Sequence, residues 1–228
     1  MSRELLIIRP QPGASQTAER ARTLGLVPIV APLFAFRPIA WQPPDPASFD
    51  AMMLTSANAV RHGGDALAAY VDLPCYAVGE ATAKAARAAG FENVHTGPAD
   101  AAALLDLMAA NGVTTALHLA GLDRLELAHP ALRVHAVAIY SADALDGLSA
   151  AAEAALARGA LVLIHSPRAA ALLSTLVGRL RARTRIAAIS ADAAEAAGPG
   201  WAAVSIAHRP RDEALLELAA KLCQNGGE

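Results

Sequence analysis

Three turns in this sequence place small and hydroxyl-bearing residues directly after a short apolar run and before an alanine-rich stretch. They lie in the segments MMLTSANAV, YAVGEATAK and VLIHSPRAA. Each pattern predicts a strand, a turn and the first residues of a helix, where backbone N–H groups have no partner within the helix. Such N–H groups, together with the helix dipole, favour anions. The residues that we expect to meet an anion are Ser56, Ala57, Asn58, Gly79, Thr82 and Ser166.

These turns have a second interpretation, because serine, threonine and asparagine are also the usual N-caps of helices. A cap and an anion site share one geometry, so both interpretations stay open for the same residues. One exposed helix terminus stabilises an anion by only about 0.3–1 kcal/mol. A ligand that binds usefully must therefore engage several termini at once, through several carboxylates or phosphates.

Two arginines add side-chain donors to this pattern. Arg9 ends the apolar run LLII and precedes Pro10, which places it at the carboxyl end of a strand. Arg168 closely follows Ser166 in the third turn. A guanidinium carries a planar fork of donors that suits a carboxylate. We therefore expect Arg9 and Arg168 to bind substrate, whereas the arginines of RLRARTR are expected to be solvated on the surface.

No familiar motif for phosphate, nucleotide or acyl-transfer chemistry accompanies these residues. The sequence has no G-x-x-x-x-G-K-[ST], no G-x-G-x-x-G after the first strand and no G-x-S-x-G. Its seven histidines lack metal-ligand spacing, so we expect them to pack or to face solvent. Cys75 and Cys223 belong to no Cys/His cluster. We expect no metal, no cofactor and no disulfide, which leaves positioning and electrostatics as the means of catalysis.

Composition limits the partners of the chain. It has 228 residues with 19 basic and 21 acidic side chains, a balance that provides no field for nucleic acid or an anionic membrane. We interpret the opening MSRELLIIRP as neither a signal peptide nor a membrane span, because its apolar run is short. We expect a cytoplasmic protein that binds neither nucleic acid nor membrane.

Apolar runs and alanine-rich stretches alternate along the chain, which is typical of parallel sheets built from βαβ units. The alternation stops twice, in the proline-rich segment 33–49 and in the segment 132–147, which alternates like a strand up to Ile139 and then has turn residues. Ser56 and Ser166 lie 110 positions apart, and other segments align at nearly the same offset. This spacing favours a duplicated α/β domain with a ligand cleft between the copies. The alternative is that any two βα units look alike, because both need apolar strands and small turn residues.

In their order and spacing, several segments resemble the uroporphyrinogen-III synthase family over nearly the whole chain. They are LLIIRP, FDAMMLTSANAV, YAVGEATAKAARAAGF, LHLAG, VAIYSA, LVLIHSPRAA and IAAISADAAEAAG. The resemblance implies an α/β fold with two parallel-sheet, flavodoxin-like, three-layer domains joined by a two-stranded linker. Domain 1 is discontinuous and takes residues 1–33 and 142–228, domain 2 takes 38–136, and the linkers lie near 34–38 and 136–142. Each domain would supply one serine turn to a shared cleft.

The resemblance also implies the reaction. The family acts on hydroxymethylbilane, a linear tetrapyrrole with acetate and propionate groups, in haem biosynthesis. The terminal hydroxyl leaves, and closure through a spiro intermediate inverts ring D, a dehydrating cyclisation of the lyase type without a cofactor. Tyr140 matches the family tyrosine proposed to help the hydroxyl leave as an acid, and Thr82 matches a cleft threonine. By composition alone, a tyrosine that simply packs is the alternative. We expect a monomer with transient contact to the preceding pathway enzyme.

One segment departs from the family pattern. Where a glycine and one or two threonines are usual, the chain has Ser190, Ala191, Asp192 and Ala193. Asp192 with Glu195 predicts a capping box, and a negative charge at that helix terminus discourages a substrate carboxylate. The competing hypothesis is a degenerate, non-catalytic two-domain α/β protein that binds a polyanionic small molecule.

The helix-terminus hypothesis predicts that backbone donors matter more than capping side chains. Ser56→Ala or Ser166→Ala should cost no more than about 1 kcal/mol of binding free energy, the contribution of one cap. Ala57→Pro deletes a backbone donor and should weaken binding more. Isothermal titration with a porphyrinogen analogue measures the affinities, and circular dichroism checks folding. Loss of binding in both serine variants, with normal binding by Ala57→Pro, would contradict the hypothesis.

Overall fold

The structure, a computed structural model, describes residues 4–97 and 100–224. Its sheets are largely parallel and carry helices, so the predicted α/β class is confirmed. The strands are β1 (Glu4–Ile7), β2 (Val27–Val30), β3 (Phe34–Pro38), β4 (Ala51–Leu54), β5 (Cys75–Val78), β6 (Val94–Gly97), β7 (Thr115–Gly121), β8 (Arg133–Ala144), β9 (Leu161–Ile164), β10 (Arg185–Ala188) and β11 (Ala203–Ile206). The α-helices are α1 (Gly13–Thr23), α2 (Ala57–His62), α3 (Gly79–Ala88), α4 (Ala101–Ala110), α5 (Ala150–Ala157), α6 (Pro167–Leu176), α7 (Ala191–Ala197) and α8 (Asp212–Gln224).

The chain folds as two compact units. Unit 1 comprises the residues up to Ala35 and those from Asp143 onward, and unit 2 comprises Phe36–Ala142. The chain therefore passes between the units twice, once within β3 and once within β8. None of the described helices is long and apolar enough to cross a membrane. The independent domains predicted from the sequence, with their bounds, stay a prediction.

The two crossing strands β3 and β8 are neighbours at one edge of a sheet. The N–H of Ile39 donates to the carbonyl of Ile139, and that of Leu145 to Leu33, each at 2.9 Å. These pairings run in opposite directions along the chain, so the strands are antiparallel. The sequence predicted turn residues after Ile139, but β8 continues to Ala144 because β3 pairs with it there.

The sheet of unit 1 has the strand order β11-β10-β9-β1-β2, and each neighbouring pair is parallel. Numbered within the unit, this order is 5-4-3-1-2, an open parallel sheet whose winding direction reverses between β1 and β9. Leu6 and Ile8 pack in a core with α5, α6 and α7, while Leu5 and Ile7 pack on the opposite face with α1 and α8. The continuous apolar run LLII is therefore explained by burial on both faces of a parallel sheet.

The sheet of unit 2 has the strand order β3-β8-β7-β4-β5-β6, with parallel pairing from β8 to β6. Met52 and Leu54 pack on the face that carries α2 and α3, and Met53 packs with Leu104 and Met108 of α4 on the other face. Parallel pairing brings the carboxyl ends of β4, β5, β7 and β8 to one edge, which is hereafter the carboxyl edge of unit 2.

One arginine of the predicted solvated segment is packed instead. Arg181 places its guanidinium 4.8 Å from the ring centre of Trp201 and donates to the carbonyl of Ala197. Ser174 Oγ and Trp201 Nε1 donate to the same oxygen. Ala197 ends α7, whose last carbonyls have no partner within the helix. The prediction of a solvated surface group is therefore wrong for Arg181, because a distant helix end supplies its acceptor.

Candidate active site

Ligands of open α/β sheets bind outside the carboxyl ends of the strands, at the point where the strand order reverses. In unit 2 the order reverses between β4 and β7, and in unit 1 it reverses between β1 and β9. A cavity of about 230 Å³ lies at the reversal point of unit 2. Its lining includes Thr55, His118, Gly121, Arg124, Leu127 and Tyr140. This cavity combines a mostly apolar wall with a few polar groups, as small-molecule sites do.

Tyr140 of β8 is held at this cavity by packing. A Cβ atom added to Gly121 would lie 2.9 Å from Tyr140 Cε2, so the ring rests directly on the glycine backbone. The ring also meets Phe36 edge-on, with centroids 5.6 Å apart, and tilts against His62 at 5.7 Å. These contacts fix the phenol in one orientation at the cavity wall, and they fit both the acid and the alternative of a tyrosine that simply packs.

His118 is a buried polar side chain in the middle of the apolar strand β7. It is 2% exposed, and its Nε2 lies 3.0 Å from Thr55 Oγ1. Burial, with a smaller effect of the Arg124 charge, lowers the pKa of His118 to about 4. The imidazole is therefore neutral at physiological pH. The sequence indicated a packing or surface histidine, and its only signal of a site was a polar residue in the middle of the apolar run TALHLAG.

The predicted helix termini differ in how their N–H groups are used. Ser56 Oγ accepts from Asn58 N at 3.2 Å, and Ser166 Oγ accepts from Ala169 N at 3.2 Å. Both serines are thus N-caps, of α2 and α6. By contrast, α3 begins at Gly79 without a side-chain hydrogen bond from its N-cap residue Val78, and α1 of unit 1 also lacks such a cap. This end of α3 lies at the carboxyl edge of unit 2.

Two other predicted residues of unit 2 are mostly buried. Thr82 in the first turns of α3 is 5% exposed, and Asn58 in α2 is 9% exposed. The Asn58 side-chain oxygen already accepts from Arg61 at 3.0 Å. Ala57 follows the cap Ser56 as the first residue of α2. The structure brings Ser56, Ala57, Gly79 and Tyr140 to the same sheet edge, but their roles in binding stay predictions.

At the carboxyl edge of unit 1, Arg9 is part of an ion-pair network. Asp212 accepts from Thr17 Oγ1 and Arg20 at 2.8 Å, from Arg9 at 3.4 Å, and lies 2.8 Å from His165 Nε2. Burial would raise the pKa of Asp212, but hydrogen bonds from His165, Thr17 and Arg20 hold it well below its usual range. The sequence predicted Arg9 as a donor for substrate; the structure shows that it already has an internal carboxylate partner.

The remaining first-unit candidates lie at helix starts. Arg168 places its guanidinium 4.6 Å from the centre of the Phe34 ring, an arrangement that supports a cation–π contact. Ser190 caps α7 by accepting from Ala193 N at 3.3 Å. The predicted capping box of Asp192 and Glu195 is therefore wrong, because the cap lies two residues earlier. Asp192 is still in the first turn of α7.

Four residues whose side chains form hydrogen bonds at the candidate sites were not singled out from the sequence: Thr17, His118, His165 and Asp212. Their partners are as far as 203 positions away along the chain, as Arg9 is from Asp212. No local spacing signals such contacts. In the described part of the chain, no group of three His, Cys, Asp or Glu side chains lies close enough to hold a metal ion.

A family model described as uroporphyrinogen-III synthase HemD matches residues 15–217. A solved uroporphyrinogen-III synthetase from Helicobacter pylori is 19% identical, with a TM-score of 0.65 over 97% of this chain and 100% of that chain. A mutant uroporphyrinogen III synthase from Thermus thermophilus is 17% identical, with a TM-score of 0.46 over 97% of this chain and 99% of that chain. No curated protein sequence matches the chain. The Helicobacter pylori structure supports the α/β fold.

The contact between Gly121 and Tyr140 predicts a specific overpacking effect. Gly121→Ala forces the ring to move, and overpacking of this kind costs about 1–3 kcal/mol of stability. In a Tyr140→Ala background the added methyl group has space, so the same change should be nearly neutral. Urea unfolding of the four proteins measures this coupling. Gly147→Ala, which meets no atom within 4 Å, is the control; equal costs of Gly121→Ala in both backgrounds would refute the contact.

His118 also makes stability depend on pH. Its folded pKa of about 4 lies below the ordinary value of 6.5, so the unfolded state binds more protons between these values. The neutral, buried form of His118 therefore makes its full contribution to the free energy of unfolding above pH 6.5. That contribution is lost as the pH falls toward 4, by at most about 1.4 kcal/mol per pH unit. His118→Leu should flatten this part of the stability curve in urea titrations. His165, whose pKa is also lowered by burial, keeps part of the slope; an unchanged slope would contradict the assignment.

Proposed function

This chain belongs to the uroporphyrinogen-III synthase family, and from that membership we propose that it converts hydroxymethylbilane into uroporphyrinogen III at the carboxyl edge of its unit 2 sheet. The observation that carries the proposal is the family match over residues 15–217. That match favours the enzyme over the non-catalytic binding protein. The reaction is a dehydrating cyclisation of the lyase type in tetrapyrrole synthesis.

The reaction needs no change of oxidation state. The terminal hydroxyl of hydroxymethylbilane takes up a proton and leaves as water, while the nitrogen lone pair of its pyrrole ring supplies the electrons. The substituted carbon of ring D attacks the resulting electrophilic carbon and forms a spiro intermediate. This intermediate fragments, recloses through the other carbon of ring D and loses a proton. Water and the inverted macrocycle are the only products.

In this proposal Tyr140 supplies the proton for the leaving hydroxyl. A phenol is a hydrogen-bond donor, and the ring is fixed by Gly121 and Phe36 at the wall of the unit 2 cavity. Acid assistance of this type contributes about 10²–10⁴-fold to a rate. Tyr140 is therefore the residue whose loss should slow the chemical step most.

The other task of the protein is to hold one folded conformer of the substrate. Without an enzyme the chain closes on the unhindered carbon and gives isomer I, so isomer III requires orientation. The acetate and propionate carboxylates of the substrate provide anchors for this. We assign them to the uncapped start of α3 and to Arg124 at the unit 2 cavity. The substrate-binding roles of Arg9 and Arg168 stay predictions from the sequence.

Several finer expectations stay proposals beside this one. The separate cores of units 1 and 2 support two flavodoxin-like, three-layer domains with β3 and β8 as a two-stranded linker. The monomeric state, the transient contact with the preceding pathway enzyme and the cytoplasmic location rest on the sequence alone.

The function is tested by a coupled assay. Porphobilinogen and hydroxymethylbilane synthase generate the substrate in place, and the products are oxidised and separated as isomers I and III. We expect isomer III in excess when the protein is present. Isomer I alone, at the rate of spontaneous closure, would contradict the proposal and favour the non-catalytic alternative.

In the same assay, Tyr140→Phe should slow the formation of isomer III by about 10²–10⁴-fold. Arg124→Gln and Arg168→Gln should each have smaller effects, because one carboxylate contact among many is partly redundant. Tyr70→Phe is the matched control, since Tyr70 donates to the Pro44 carbonyl at 2.6 Å inside the unit 2 core. Tyr70→Phe removes a tyrosine hydroxyl and should lower the stability of the protein without slowing the formation of isomer III. Full activity of Tyr140→Phe would show that positioning suffices without this acid.

A further inference from the structure

The hydrogen bonding of His118 is incomplete. Its Nε2 is paired with Thr55 Oγ1 at 3.0 Å, whereas its Nδ1 is buried and has no hydrogen-bond partner among the described residues. A buried polar atom without a partner destabilises the folded state, because it has lost its hydrogen bonds to water. Such a group in a native structure requires an explanation other than stability.

Packing does not provide that explanation. The strand position of His118 is flanked by Met53 of β4 and Ala136 of β8 in the sheet register, and its neighbours along β7 are Leu117 and Leu119. An apolar side chain of similar size at this position would fill the space and remove the unpaired atom. Histidine at this position stabilises the fold less than leucine would. Such a residue at the reversal point of the strand order is typical of a functional site.

The unpaired Nδ1 indicates which way the hydrogen bond to Thr55 runs. If the Thr55 hydroxyl donated to Nε2, a neutral imidazole would carry its proton on Nδ1 and bury an N–H group without an acceptor. A buried orphan N–H is the rarer defect. We therefore assign the proton to Nε2, which donates to Thr55 Oγ1 and leaves the threonine hydroxyl proton for another acceptor.

The surroundings of Thr55 suggest what that acceptor is. The same cavity is lined by Arg124, which donates to the Gly121 carbonyl at 3.3 Å, and by Asp123. Because Asp123 offsets the charge of Arg124, this cavity recognises a guest through its hydrogen-bond donors rather than through net charge. A carboxylate accepts from a hydroxyl and from a guanidinium at the same time, and the cavity offers both donors.

We propose that Thr55 and Arg124 hold one carboxylate of the substrate in the unit 2 cavity, and that His118 is the positioning residue that orients the Thr55 hydroxyl toward it. This inference rests on the proposed function, because it takes the carboxylate-bearing substrate from it. It adds a specific subsite beside Tyr140 and a role for a histidine buried in the sheet. His118 itself does not touch the substrate.

The test combines steady-state kinetics with stability. Thr55→Val should raise KM roughly tenfold to a hundredfold, the range of a hydrogen bond to a charged group, with a smaller change in kcat. His118→Leu should also raise KM. In the Thr55→Val background it should raise KM little further, because His118 acts through Thr55. His118→Gln, whose amide N–H replaces the Nε2 donor, and Thr55→Ser should recover most of the affinity. His118→Leu should also be as stable as the parent protein, or more stable, at pH 7.

Matched controls separate this role from a structural one. Thr114→Val removes a threonine hydroxyl that donates to Asp50 at 2.7 Å, at the amino ends of the strands, and should leave KM unchanged. An unchanged KM in Thr55→Val, additive effects of the two changes, or loss of stability in His118→Leu with normal KM would each overturn the proposal.

A second readout does not depend on turnover. Uroporphyrin, an octacarboxylate, is titrated into each protein and followed by quenching of tryptophan fluorescence. Thr55→Val should weaken its binding by the same factor as it raises KM, and the Thr114→Val control should not. If the parent protein forms no isomer III but shows this pattern, the proposed function fails and the carboxylate subsite stands. Equal uroporphyrin affinity of the parent and Thr55→Val would overturn the subsite.

Discussion

Parallel pairing of strands that are buried on both faces is the constraint on which the rest of this molecule depends. It requires apolar residues on both sides of β4, β5 and β7, and it brings their carboxyl ends to one edge. At that edge the helices begin, so unpaired N–H groups accumulate there. The polar residues of the site lie at this edge because the other residues of each strand are buried in the cores.

The two units satisfy buried polar groups at this edge in different ways. In unit 1, Asp212 is surrounded by donors from Arg9, Arg20, Thr17 and His165, so its charge is compensated within the protein. In unit 2, the His118 ring keeps one nitrogen without a partner among the described residues, beside a cavity. His165 Nδ1 of unit 1 is likewise buried without a hydrogen-bond partner among the described residues. The acid and the carboxylate subsite are assigned to unit 2 because its cavity is lined by Thr55, Arg124 and Tyr140.

The elements that the sequence predicted well are those with local causes. The runs MMLT and LVLI predicted buried strands, and the serines that follow predicted the N-caps of α2 and α6, which are confirmed. The resemblance to the family is confirmed as well. The failures are long-range: Arg181 finds its acceptor at the end of α7, β8 is prolonged by β3, and His118 pairs with a threonine 63 positions away. Hydrophobic periodicity and capping patterns contain no information about such partners.

The central claim is that the substrate binds at the carboxyl edge of the unit 2 sheet. A larger cavity of about 430 Å³, lined by Thr114, Pro130 and Arg133 among others, lies at the opposite, amino ends of β7 and β8 and provides a clear alternative. Amide chemical-shift mapping with uroporphyrin distinguishes the two. We expect the largest shifts at 55–58, 79–82, 118–124 and Tyr140. Shifts concentrated at 114–115 and 130–133, with the carboxyl edge unperturbed, would contradict it.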